Sequence, residues 1–204
     1  MTNIYWNKYY SEHNTPFEPS NFAKFIFKFI DKEKTIIDIG CGNGRDSFYF
    51  ARKKLETLGI DYSDVTINNL KQNSKDNLDF QVLNIEHINK ELENVSIDIC
   101  YCRFILHSFN EKVESALFEW IKNSNVSILC IETRVEEDIY SISTQDHYRR
   151  PINELELKAK IKDIDFEIIF DKKSNKFSRY KKEYGVKDLK NDPMLLRIIA
   201  RRLN

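Results

Sequence analysis

Two acidic residues and three alternate glycines carry the most legible chemistry of this chain. Asp38 stands two residues ahead of Gly40, and Gly40, Gly42 and Gly44 alternate through a loop that follows an apolar run. Glycines so spaced let the backbone approach a bulky ligand where any Cβ would collide. Asp61 closes the next apolar run, near the roughly 20-residue offset at which a carboxylate meets a nucleotide ribose. The combination points to a nucleoside-containing ligand. The chain has only five glycines, so three in one loop have a local cause.

The loop also discriminates between ligands. A dinucleotide fingerprint runs Gly-x-Gly-x-x-Gly and turns a helix N-terminus toward a pyrophosphate. Here the third glycine comes one residue early, and Asp38 would repel a pyrophosphate. No Lys-Ser/Thr pair follows, so the loop is not that of a nucleoside triphosphatase. S-adenosylmethionine carries no phosphate; it has a sulfonium, an ammonium and a carboxylate. An acid beside the ammonium is attracted, which makes S-adenosylmethionine the expected cofactor and S-adenosylhomocysteine its product.

A second group of residues suits an acceptor. Arg134, Arg149 and Arg150 offer planar forks matched to phosphate or carboxylate. His107 and His147 are candidate bases, because imidazole holds a proton near pH 7. A neutral hydroxyl acceptor needs such a base; an acceptor that is already an oxyanion needs the arginines instead. For each of these five residues a structural role, as loop support or surface ion pair, stands beside the functional one. His13 and His87 lie in polar stretches and receive no role. The four cysteines (Cys41, Cys100, Cys102, Cys130) form no CxxC pair, which argues against zinc, and read as reduced core thiols. No metal site is expected.

These residues need an alternating scaffold. Strands are expected at 35–39, 56–61, 78–83, 96–103 and 126–133. Helices are expected at 45–54, 63–73, near 87–93, at 110–123 and at 152–162. Ser20 is a candidate N-cap for a helix over 21–31, with Phe22, Phe25, Ile26, Phe29 and Ile30 on one stripe. Alternation of this kind demands a parallel sheet covered on both faces. Two further apolar runs, 164–171 and 194–200, are joined by a polar link without a helical crossover. A final antiparallel strand beside its predecessor explains that link, with Pro193 at its start.

Asp38-Ile-Gly-Cys-Gly-Asn-Gly44, followed by Gly59-Ile-Asp61-Tyr-Ser, resembles the first two motifs of the class I S-adenosylmethionine-dependent methyltransferases. The resemblance is close over residues 35 to about 134, and element order extends it to 200. It implies a Rossmann-like α/β fold: a seven-stranded, mostly parallel sheet, an antiparallel last strand and helices on both faces. It places Gly40, Cys41 and Gly42 against the methionine portion and gives Asp61 both ribose hydroxyls. Tyr62 is implied beside the adenine and Asn84-Ile85 at its edge, although Asp is commoner than Asn there. Arg103-Phe104 is implied near the methyl-bearing sulfur. Arg45 either pairs with the cofactor carboxylate or serves folding alone.

A wider pattern is similar to a bacterial subgroup of that family. It comprises Tyr5-Trp6 with Tyr9-Tyr10, Pro19-Ser20-x-Phe22-Ala23, Arg103-Phe104-x-Leu106-His107-Ser108 and His147-Tyr148-Arg149-Arg150. Those enzymes accompany surface-polysaccharide and phosphorus-containing small-molecule pathways, including the O-methyl phosphoramidate decoration of capsules. The similarity implies O-methylation of a small polar or anionic acceptor, with Tyr9, Tyr10, Arg134, Tyr148, Arg149 and Arg150 lining its site. The N-terminal aromatic stretch is expected to fold over the cofactor as a lid.

Length fits a single domain over 1–204, which the resemblance implies is a methyltransferase domain. Within it, 1–31 is the lid segment and first helix, 35–134 the cofactor-binding core, and 135–204 the acceptor-side segment with the closing strands. Net charge is zero, yet residues 149–204 hold 16 Lys/Arg against 9 Asp/Glu. That basic third leaves open a nucleic-acid methyltransferase, although an Asn/Asp-Pro-Pro-Tyr/Phe motif is missing at 102–105 and the lysines are scattered, which argues against nucleic acid. A non-catalytic protein on the same fold is the other alternative. No leader and no membrane span are visible, so a soluble, cytoplasmic protein is expected, with pairing of identical copies left open.

Overall fold

The computed structural model describes residues 7, 18–135, 149–150, 152–177 and 192–203. The elements run α1 (Asn21–Ile26), β1 (Thr35–Ile39), α2 (Arg45–Arg52), β2 (Glu56–Asp61), α3 (Asp64–Lys71) and β3 (Leu78–Val82). They continue through α4 (Ile88–Glu91), β4 (Ile99–Arg103), α5 (Glu111–Asn123), β5 (Ile128–Arg134), α6 (Glu154–Asp163), β6 (Phe166–Ser174) and β7 (Leu195–Arg202). Short 3₁₀ turns, Ile85–His87 and Leu106–Ser108, follow β3 and β4.

One seven-stranded sheet has the order β3-β2-β1-β4-β5-β7-β6. Strands β1 to β5 are parallel, and β7 runs antiparallel to both β5 and β6. The closing strand therefore inserts between β5 and its predecessor. Pro193, whose nitrogen has no proton to give a ladder, stands just ahead of β7, where none is asked of it.

Side chains alternate across the sheet as period two requires. Ile36, Ile99, Tyr101, Cys130 and Ile199 face α1 and Phe50 of α2, and Phe80 lies on Ile67 and Leu70 of α3. Ile37, Ile39, Cys100, Cys102 and Leu129 face the opposite way, onto α4, α5 and α6. Both faces are covered, as a parallel sheet demands. All four cysteines are buried free thiols.

Caps fix several helix entries. The Ser20 hydroxyl accepts from Ala23 N at 2.9 Å, Ser63 from Thr66 N at 3.2 Å, and the Asn110 side chain from Val113 N at 2.9 Å. Helix α1 is shorter than the expected 21–31. It ends at Ile26, and Phe29 turns aside to meet Phe170 of β6 at 5.6 Å between ring centres.

Candidate active site

Five parallel strands deliver their carboxyl ends to one edge, and the order reverses between β1 and β4. Ligands of open α/β sheets bind at such a switch point. The glycine loop lies there. Gly40 N and Cys41 N both donate to Ile60 O, at 2.8 and 2.9 Å, so the loop is stapled to β2. Gly40, Gly42 and Gly44 all have positive φ, at 71°, 53° and 74°, a conformation that other residues rarely accept. An ideal Cβ on Gly40 would stand 2.6 Å from Ile105 Cδ1; the chain leaving β4 thus closes directly on the loop.

Asp61 ends β2 with its carboxylate spread between two backbone donors. Gly42 N donates to one oxygen at 3.0 Å and Ser63 N to the other at 2.9 Å. Each oxygen keeps acceptor capacity, as a ribose diol requires. Burial raises its pKa, against the lowering effect of those amide donors. The next residue, Tyr62, is 41% exposed.

Asp38 is buried in β1, where its Oδ2 accepts from Ser47 Oγ at 2.6 Å. Burial, with the neighbouring charges of Asp46 and Asp61, raises its pKa to about 7; the Ser47 hydrogen bond and Arg103 act the other way. Three carboxylates therefore surround the loop, an environment hostile to phosphate and hospitable to a cation. Burial and the charges of Asp61 and Asp38 push the Cys41 thiol well up, so Cys41 is no nucleophile.

Asp46, in the first turn of α2, is a hub. It accepts from Ser20 N at 2.7 Å, Ser20 Oγ at 2.8 Å and Tyr101 OH at 2.8 Å. Arg45 is buried, its Nε 3.7 Å from Asp46. Ser20, Asp46 and Tyr101 thus join α1, α2 and β4 behind the loop, a connection that no local motif announces.

Asn84 and Ile85 follow β3. The Asn84 side chain caps the 3₁₀ turn by accepting from Glu86 N at 3.1 Å; Ile85 belongs to the apolar core. Beyond β4, Phe104 holds a left-handed backbone, φ 56°, a conformation that costs energy for a bulky residue. Glu132 of β5 secures it twice over. The Glu132 carbonyl accepts from Phe104 N at 2.8 Å, and the carboxylate accepts from Arg103 Nε at 2.9 Å. Its other oxygen accepts from Arg197 Nε of β7 at 2.6 Å. The Arg103 guanidinium stacks on the Phe104 ring, 4.2 Å from its centre. Arg197 was not among the expected site residues; sheet register brings it to Glu132.

On the acceptor side, His107 sits in the 3₁₀ turn after β4, 4% exposed and edge-on to Phe104 at 6.3 Å. Arg134 is buried at the end of β5, and Arg149 is half-buried. The Arg150 side chain turns to structural partners: it pairs with Glu114 of α5, and its Nε donates to Phe109 O at 2.8 Å. Its backbone N donates to His107 O at 2.8 Å. His147, Tyr9, Tyr10 and Tyr148, and all of 5–10 except Asn7, lie outside the described residues. Among the described residues no cluster of His, Cys, Asp and Glu could hold a metal ion, and no helix is long and apolar enough to cross a membrane.

Comparison with known proteins adds to this geometry. A family model described as "Methyltransferase domain" matches residues 30–163, which includes every element from β1 to α6. The chain belongs to that family. Protein 235L of Invertebrate iridescent virus 6, named as a candidate methyltransferase, is 33% identical over 100 residues; the match covers 47% of this chain and 37% of the viral protein. Among solved structures, the Burkholderia thailandensis 1,6-didemethyltoxoflavin-N1-methyltransferase, bound to S-adenosylhomocysteine, has a TM-score of 0.70 at 14% identity. That match covers 90% of this methyltransferase-family chain and 77% of the Burkholderia enzyme. The [4+2]-cyclase SpnF has a TM-score of 0.67 at 14% identity, covering 88% and 79%. At such identity these likenesses establish a shared fold, and the cyclase shows that the fold hosts more than one chemistry.

Proposed function

We propose that this chain, as a single domain, is an S-adenosylmethionine-dependent methyltransferase acting on oxygen of a small polar or anionic metabolite. The observation that carries the reading is the pair of carboxylates at the β1/β4 switch point. Asp61 is pre-oriented by Gly42 N and Ser63 N to accept from two ribose hydroxyls. Asp38 lies buried beside the glycine loop, placed to meet an ammonium. The same acidic surroundings disfavour a diphosphate. The family match supports the reaction class.

Bound there, S-adenosylmethionine supplies a methyl group on a sulfonium, which passes to the acceptor by in-line displacement and leaves S-adenosylhomocysteine. The protein's main task is then alignment. Gly40, Cys41 and Gly42 receive the methionine portion, Arg45 its carboxylate, and Tyr62 with Asn84 and Ile85 the adenine. Arg103 and Phe104 border the reacting carbon, and the strained Phe104 backbone is held there by Glu132. For a hydroxyl acceptor His107 takes the proton as the new C–O bond forms; His147 is the second candidate base. Arg134 and Arg149 attract an anionic acceptor, and Tyr9, Tyr10 and Tyr148 complete its site. Arg150 positions the His107 turn through Glu114. The wider sequence pattern favours an acceptor from capsule or phosphoramidate modification.

The test has two steps. Calorimetry should show binding of S-adenosylmethionine and S-adenosylhomocysteine to the full chain. Mass spectrometry of a metabolite extract incubated with labelled donor should then show a gain of one methyl group. With a hydroxyl acceptor, His107→Asn should lower transfer about 10²- to 10⁴-fold while leaving cofactor affinity within about twofold. A chain that binds neither cofactor form, or a His107→Asn variant as active as wild type, overturns the corresponding part.

A further inference from the structure

We infer that Asn7 is a positioning residue for the cofactor's ribose, acting through Ser63 on Asp61. This rests on the cofactor reading above and adds a residue from outside both family motifs. Asn7 spends both ends of its side-chain amide on consecutive residues of the turn that follows Asp61. Its Oδ1 accepts from Ser63 Oγ at 2.6 Å, and its Nδ2 donates to Asp64 Oδ1 at 3.0 Å. These contacts bridge 56 and 57 positions of sequence, so they order the turn rather than merely decorate it.

The consequence follows from counting protons. Ser63 has one hydroxyl proton, and Asn7 takes it. The Ser63 oxygen must then act as acceptor toward α3, from Thr66 N at 3.2 Å and from the Thr66 hydroxyl at 2.7 Å. With Asn7 in place, every hydrogen-bonding site on that hydroxyl has a defined direction. The amide of the same residue, Ser63 N, holds Asp61 Oδ1 at 2.9 Å. Fixing Ser63 therefore fixes one of the two donors that aim the ribose carboxylate. Asn7 reaches Asp61 through Ser63, so its effect is on aim.

The experiment compares wild type with Asn7→Ala by calorimetry at pH 8. The ligands are S-adenosylhomocysteine and its 2′,3′-dideoxyribose analogue, which offers Asp61 no hydroxyl. The expected result is a rise of about fivefold in Kd for S-adenosylhomocysteine, the loss of roughly one net hydrogen bond, and less than twofold for the analogue. Asn7→Asp, which sets a carboxylate against Asp64, should weaken S-adenosylhomocysteine at least as much. Thermal midpoints without ligand should fall by no more than a few degrees. Unchanged affinity in Asn7→Ala, or an equal loss for both ligands, overturns the inference and leaves the cofactor reading standing. Failure of wild type to bind S-adenosylhomocysteine overturns both.

Discussion

Asp38 offers a quantitative handle on cofactor binding. Its pKa of about 7 means that near neutral pH the ligand-free protein holds it about half protonated, whereas a bound ammonium requires the carboxylate. Affinity for S-adenosylhomocysteine should therefore rise with pH. With a free-state pKa of about 7 and the bound-state value pulled well below it, Kd at pH 6 should exceed Kd at pH 8 by about tenfold. Binding at pH 7 should release about half a proton, visible as a dependence of calorimetric enthalpy on the buffer's ionisation enthalpy. Folding carries the opposite signature. Because the folded value lies above the ordinary 3.8, the folded chain keeps a proton that the unfolded chain has released. This contribution to stability is present in full below about pH 3.8 and is lost as pH rises through about 7. The loss is on the order of 4 kcal/mol for a raise from 3.8 to about 7. Asp38→Asn, which can still accept from Ser47, should be more stable than wild type at pH 8 without ligand, yet bind S-adenosylhomocysteine more weakly and with no slope between pH 6 and 8. A flat pH profile in wild type, or an identical slope in Asp38→Asn, would refute the reasoning.

Three further predictions concern the support of the site. Gly59→Ala places a Cβ 2.6 Å from the Phe80 ring and 3.1 Å from Ser47 Oγ; it should cost about 1–3 kcal/mol in urea unfolding and weaken S-adenosylhomocysteine binding by disturbing the Ser47–Asp38 bond. Glu132→Gln leaves the buried Arg197 and part-buried Arg103 guanidinium groups without their shared carboxylate, and unfolding should report a loss of about 3–5 kcal/mol; a loss below 1 kcal/mol would contradict the clamp. Glu114→Ala releases Arg150 and Lys160, so methyl transfer should fall while S-adenosylhomocysteine affinity stays within about twofold of wild type.

Strong local punctuation made much of the fold legible. Strands β1 and β2 lie where expected, at Thr35–Ile39 and Glu56–Asp61, because a glycine loop and a polar turn bound them. The antiparallel β7 was legible from a negative sign, a link without a helical crossover. The stripe over 21–31 misled beyond Ile26, since apolar spacing does not separate a helix from a turn whose Phe29 has a distant partner in Phe170. In the candidate site, the tight turn at the end of β1 was legible because glycines clustered after an apolar run mark such a turn. The supporting bonds were not. Tyr101 reaches Asp46 across 55 positions and Arg197 reaches Glu132 across 65, distances that only sheet order and register close. Arg150 shows the converse: its type suggested an acceptor, whereas its position beside Glu114 gives it a structural tie.

A crystal structure of the full chain with S-adenosylhomocysteine tests the central assignment most directly. It should show both ribose hydroxyls within hydrogen-bonding distance of the Asp61 carboxylate, and the amino group on the Asp38 side of the glycine loop. Nucleoside bound away from Asp61, or a glycine loop filled by the protein's own side chains at saturating ligand, would contradict it.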